Sequence, residues 1–336
     1  MPTSQPFALT AAAAVAAGVL AGCSGTGSSS ISPLVPTSDG LRQAISLRGS
    51  GAAPQYLESI HLGAGPPEAR PNSGGKLLAV TDYGRGATGG AEILDGSYDL
   101  VQTIKNGMDR PDGDWYDQSG NLYVANYLGV NVQEYAPGAS SPSFTYSTGL
   151  TDPINVSTDE SGNVFVVDGL GKFVSEFPQG SNTPTFTCPV RGNPEGVAVT
   201  ERGKVFVDLN AAGAGVVEFP AGLGNCRDVT TLGALLITAG GMQLDRQHNL
   251  VICDQVGQTV DIVAPPYTIV TRIISDGFAD PFHVALNKYN TLMFVADPGN
   301  FNVKVLKYPS GIPVTTLGQA NGLSIPEGVA TNPYQH

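Results

Sequence analysis

One short phrase recurs along this chain and narrows what it can become. Pro194-Glu195-Gly196-Val197-Ala198-Val199 returns as Pro326-Glu327-Gly328-Val329-Ala330-Thr331. Looser copies begin at Pro111, Pro153 and Pro281, and one without the proline lies near Ala239. Successive copies therefore start 41–45 residues apart. Each continues alike. A polar turn such as Glu160-Ser161-Gly162-Asn163 leads into a dense apolar run such as Val164-Phe165-Val166-Val167. An Asn or Asp closes that run: Asn126, Asp168, Asp208, Asp254 and Asp297. A third run ends in an aromatic and a proline, as in Glu176-Phe177-Pro178, and a fourth is rich in Thr and Ser. Four short strands in one such period make a β-propeller blade.

Counting copies predicts an all-β fold, a six-bladed propeller of four-stranded antiparallel blades over residues 71–336. Residues 76–104 supply only three strands, 76–82, 90–94 and 99–104. The missing innermost strand reappears at 325–332. The C-terminal strand is thus expected to complete the first blade, which removes an open sheet edge. Composition agrees, since 43 Gly and 25 Pro fall between β-branched runs and mark frequent turns. A net charge of −12 excludes nucleic acid as a partner, because phosphates require Lys and Arg. The acids are spread along the chain, as in a soluble monomer.

The N-terminus reads as an address. Residues 8–22 form an apolar run too short to span a bilayer comfortably and suited to a signal peptide over 1–22. Residues 1–10 carry no Lys or Arg. The run ends in Leu20-Ala21-Gly22-Cys23, which resembles the lipobox of bacterial lipoproteins. That resemblance implies lipidation of Cys23, a membrane partner through the lipid, and, with Ser24 next, a place on the outer membrane of the cell envelope. Residues 23–70 are rich in Ser, Gly and Pro and read as a tether.

The phrases Pro194-Glu195-Gly196-Val197-Ala198-Val199 and Gly120-Asn121-Leu122-Tyr123-Val124-Ala125-Asn126 resemble NHL repeats. They are similar also to the wider superfamily of gluconolactonase-like and virginiamycin B lyase-like propellers. The likeness covers about residues 70–334 and speaks to fold more than to function. The enzymes of that superfamily imply a divalent metal or a His and Glu pair. Their Glu-Gly-Pro opening is absent, since Gly65-Pro66-Pro67-Glu68 does not match it.

Chain direction places the candidates. The innermost strand starts on one face of the disc, called the top, where the second strand ends. The residues after each copy's start are expected at the channel mouth on that face. They include Asp112, Asn155, Glu195, His283 and Glu327. The first reading is a binding or scaffold module for a protein, peptide or glycan, with these residues as its surface. The alternative is a metal-dependent lactonase or lyase. In it Asp112, Glu195 and Glu327 would hold a divalent cation such as Ca²⁺, and His283 would act as base. A plain solvated rim is the third outcome. The turn acids, Asp208 among them, are expected to cap their own hairpins. Cys188, Cys226 and Cys253 are expected to be unpaired, because the strand count sets Cys188 and Cys226 on opposite faces.

Replacing Cys23 by Ala is expected to abolish membrane partitioning of the exported protein. Membrane fractionation measures it, and unchanged partitioning would refute lipidation.

Overall fold

Side chains along a strand face alternate sides of the sheet, so a run apolar on both sides needs cover on both. Leu122–Asn126, Val164–Asp168, Val205–Leu209 and Leu250–Asp254 are such strands, with every residue buried. Their cover is a neighbouring sheet on each side. The computed structural model describes residues 77–84, 86, 88–210, 215–227, 230–231 and 238–333. They form six four-stranded antiparallel sheets, the blades of a six-bladed β-propeller. Cys23, the expected signal peptide and the whole of the expected tether lie outside the described residues.

Blade 1 combines Leu78–Asp82, Gly90–Leu94 and Leu100–Ile104 with Pro326–Thr331 as its innermost strand. Leu78 pairs with Thr331, Ala79 with Ala330 and Val80 with Val329, so the two ends of the described chain close the ring. The innermost strands of blades 2–6 are Pro111–Tyr116, Pro153–Thr158, Pro194–Val199, Ala239–Leu244 and His283–Leu286. Six apolar clusters fill the six seams. Between blades 3 and 4, for example, Ile154, Phe165 and Val167 meet Val197, Val207 and Phe219. No blade has a core of its own; each is stable only between two others.

In five of the six blades the Asx residue at the end of the second strand ties the blade to the loop entering it. Asp168 accepts the backbone N–H groups of Thr151 (2.6 Å) and Asp152 (2.9 Å), and of Gly171 in its own turn (2.7 Å). Asp82 accepts from Ile325, Asn126 from Asp109, Asp254 from Thr238 and Asp297 from Asp280. Asp208 departs from the expected role. In blade 4 the residue opposite the entering Pro194 is Leu209, whereas in blade 3 the residue opposite Pro153 is Asp168. Asp208 therefore sits one residue early. A one-residue offset turns a strand side chain to the other face, and its Oδ1 accepts the Gly196 N–H at 2.6 Å instead of capping the turn.

The cysteine expectation is also corrected. Cys188 and Cys226 form a disulfide with Cα atoms 5.3 Å apart, and only Cys253 is a free thiol among the described residues. Cys188 lies on the outer strand of blade 3, Phe186–Pro189. Cys226 does not begin a strand. It follows a short 3₁₀ turn, Leu223–Asn225, whose Leu223 is buried in the seam against blade 3. That turn carries Cys226 across to the neighbouring blade, a placement that counting strands within one blade does not reveal. The bridge spans 38 residues and is of the kind that contributes about 2–4 kcal/mol.

Protein denatured without reductant is expected to show one titratable thiol among Cys188, Cys226 and Cys253. Dithionitrobenzoate titration measures it, and a count of three would contradict the bridge.

Candidate functional site

The six innermost strands converge on one axis, and in blades 1–5 their first residues carry a β-bulge. In blade 4, Pro194 pairs with Leu209 and Val197 with Val207, so three steps on the inner strand match two on its partner. Blades 1, 2 and 5 show the same offset. The equivalent position, two residues into each copy, is Gly328, Gly113, Asn155, Gly196, Gly241 and His283 in blades 1–6. Four are glycine because nothing larger fits. A Cβ on Gly113 would lie 2.8 Å from the Asn155 Cγ, and one on Gly196 would lie 2.9 Å from the Met242 backbone N. On Gly241 it would overlap the His283 ring, and on Gly328 the Asp112 carbonyl. Asn155 and His283 thus stand three blades apart in a ring otherwise closed by glycine.

This constriction divides the five candidate residues. Asp112, Glu195 and Glu327 stay on the top side and are buried. Asp112 meets the Tyr83 hydroxyl at 3.4 Å, and Arg110 stacks over the Tyr83 ring. Glu195 accepts from Asn210 Nδ2 at 2.9 Å. Asn155 and His283 also line a cavity of about 320 Å³ that opens on the opposite face. Burial lowers the His283 pKa to about 4, so the ring is neutral at neutral pH. Its Nδ1 lies 3.2 Å from both the N–H and the carbonyl oxygen of Val329.

The top face has a feature the sequence reading missed. Its hairpins, between second and third strands, hold apolar side chains in solvent. Leu128 of blade 2 and Leu170 of blade 3 are 53 % and 73 % exposed. Val256 of blade 5 and Phe301 of blade 6 are exposed in the equivalent loops. Leu128, Val130 and Leu170 border a hollow of about 580 Å³ that also includes Asp152, Lys172 and Glu195. The signal lay in the parallel tetrapeptides Tyr127-Leu128-Gly129-Val130 and Gly169-Leu170-Gly171-Lys172.

A metal-dependent reaction needs several donors at one point. Among the described residues no three His, Cys, Asp or Glu side chains form such a group. Asp112, Glu195 and Glu327 come from three different blades and are not brought together as ligands.

Asp114 is a second residue the sequence reading passed over. Its equivalents are Val329, Val156, Val197, Met242 and Val284, all in apolar seams. Asp114 is fully buried, and neither carboxylate oxygen has a partner from another residue. Desolvation holds its pKa well above the usual carboxylate range.

No family model matches the chain, and no curated protein matches it. Solved structures do. A chain from the "Crystal structure of Nidogen/Laminin Complex" aligns with TM-score 0.65 and 14 % identity, over 78 % of this chain and 100 % of that one. A functionally unknown protein from Desulfotomaculum acetoxidans DSM 771 aligns with TM-score 0.57 and 13 % identity, over 76 % and 98 %. At such identity the likeness establishes the propeller fold.

Asp114→Val is expected to stabilise the protein at pH 7 by about 1–3 kcal/mol, the cost of a buried unsatisfied polar group. The sign follows from linkage. With the folded pKa raised, the native state holds its proton longer than the unfolded chain. Stability is then lost as pH rises from the unfolded value of 3.8 through the folded one. The gain should shrink toward pH 4, as read by denaturant melts at the two pH values.

Proposed function

We propose that this chain is a binding module of the bacterial cell envelope. In this reading it is an NHL-like propeller held to the membrane by a lipid on Cys23. It docks a protein or peptide on its top face. The carrying observation is the crown of exposed apolar residues, Leu128, Leu170, Val256 and Phe301, on four hairpins of that face. Loop tips contribute little to the core, so folding does not call for large apolar residues there. Two neighbouring backbone angles support the reading. Val130 and Phe301 hold φ of 52° and 57°, where glycine or asparagine would be cheaper and a β-branched residue is rare. Large apolar side chains thus sit there against local backbone preference.

The acids beneath the crown supply a second element. Asp152 and Glu195 lie in the hollow bordered by Leu128 and Leu170, and the chain carries a net charge of −12. A partner offering apolar side chains beside Lys or Arg matches both properties, and the acids would speed its encounter. A solved chain of this fold comes from a complex of two proteins, which is consistent with such use.

The test compares wild-type protein with a Leu128→Ser/Leu170→Ser variant in affinity capture from envelope extract. Loss of exposed side chains should leave the melting temperature unchanged. Capture of the bound species should fall about tenfold or more, the effect of removing interface anchors of ~2 kcal/mol each. Capture that survives the substitutions would overturn top-face docking.

A further inference from the structure

The channel's other end carries a site that top-face docking does not use. Its cavity of about 320 Å³ falls within the roughly 300–1,000 Å³ range of small-molecule sites. Asn155 and His283 stand at its inner end. Asn155 is 4 % exposed, and its side-chain amide makes no hydrogen bond to any described residue. The amide's polar atoms are not sealed off from the cavity's water, so a bound polar group would take the place of that water. His283 has Nδ1 engaged by Val329 and Nε2 left over. Further out, Gln243 accepts the Leu286 N–H at 2.6 Å through Oε1, which leaves its NH₂ as a donor. Trp115 lines the same cavity. Its indole N–H is committed to Thr158 Oγ1 at 2.9 Å, which fixes the ring as a wall.

The charges are peripheral. Glu160, Glu201, Arg246 and Lys288 belong to the turns at the rim. Asp117, Asp159 and Asp245 accept backbone N–H groups within their own turns. Between aliphatic residues such as Met242 and Leu244, the interior therefore offers an amide, an imidazole nitrogen, an amide donor and an aromatic face. An ion would be desolvated there without a counter-charge. A hydrocarbon would displace water from the Asn155 amide without replacing its hydrogen bonds. A hydroxyl both donates and accepts, so it satisfies an amide and either ring tautomer.

We propose that this cavity binds a neutral polyhydroxylated ligand about one sugar ring in size. The Asn155 amide and His283 Nε2 bond its hydroxyls, and its C–H face lies on Trp115.

Trp115 is the one tryptophan of the chain, so its emission reports this site directly. Full-length protein is titrated at neutral pH with glucose, galactose, mannose and N-acetylglucosamine, and with inorganic phosphate as the charged probe. At least one sugar should give a saturable change that phosphate does not give. Asn155→Ala should weaken that sugar about tenfold or more, about 1.4 kcal/mol or above, without lowering the melting temperature. Should Asn155→Ala fold poorly, Asn155→Asp keeps the shape, adds a charge, and should weaken the sugar likewise. The Leu128→Ser/Leu170→Ser variant should bind the sugar as wild type does, which separates this site from top-face docking. The proposal is overturned if no sugar gives a saturable change, if phosphate binds in preference, or if the folded Asn155 variant keeps wild-type affinity.

Discussion

Crowding at the axis is the constraint from which the rest of the molecule follows. Six innermost strands must meet around one line, and each brings one residue, two steps into its copy, up against the next blade. Four of those residues are glycine because a single carbon would strike the next strand or its side chain, as at Gly113 and Gly196. The recurrent Pro-Glu-Gly-Val-Ala phrase is the record of that limit. Proline ends the entering loop, glycine passes the axis, and valine turns into the seam. In blades 3 and 6 the ring spends its little space on Asn155 and His283. Being opposite, they do not collide, and they set polar groups at the end of a passage that the glycines otherwise close.

Burying carboxylates is the second cost of this design, and the way each is met shows which are structural. Asp168 accepts four hydrogen bonds, from Thr151, Asp152 and Gly171, and needs nothing more. Asp82 is satisfied by Gly84, Ser324 and Ile325 and helps fasten the ring where the chain ends meet. Asp208 and Asp114 are different. Burial is the largest cause raising the pKa of each, and each retains oxygen without a protein partner. The upward shift favours the protonated carboxyl, which an apolar seam tolerates at far less cost than the ionised one.

The repeat made the fold readable because blade architecture is written in period and alternation. Strand order, blade number and closure by the last strand follow from where Pro111, Pro153, Pro194, Pro281 and Pro326 fall. What failed to be readable depends on single-residue offsets and on contacts between blades. Asp208 looked like Asp168 until pairing showed Leu209 opposite Pro194. Cys226 looked like the start of a strand, and a 3₁₀ turn moved it within bonding distance of Cys188. Asn155 and His283 were placed with the acids of the top mouth. Their place two residues into the copy, the position glycine holds in the other blades, sets them at the axis, where they also face the opposite opening. A comparison of all six copies at that one position, four Gly against Asn and His, contained that information.

Chain direction gives the two ends of the channel different chemistry. The top face receives the hairpins between second and third strands, whose tips are Leu128, Leu170, Val256 and Phe301. The other face receives the turns after the innermost strands. Their Asp117, Asp159 and Asp245 are bound into Asx turns with polar neighbours such as Ser119, Ser161 and Gln247. A broad apolar crown over buried acids suits a large partner that covers area. A narrow neutral cavity behind a polar rim suits a small one that replaces water on a few groups. The glycine ring lies between them and keeps the two from sharing atoms. A substitution on the hairpin tips therefore leaves the cavity's hydrogen-bonding groups in place, and one at Asn155 leaves the crown untouched.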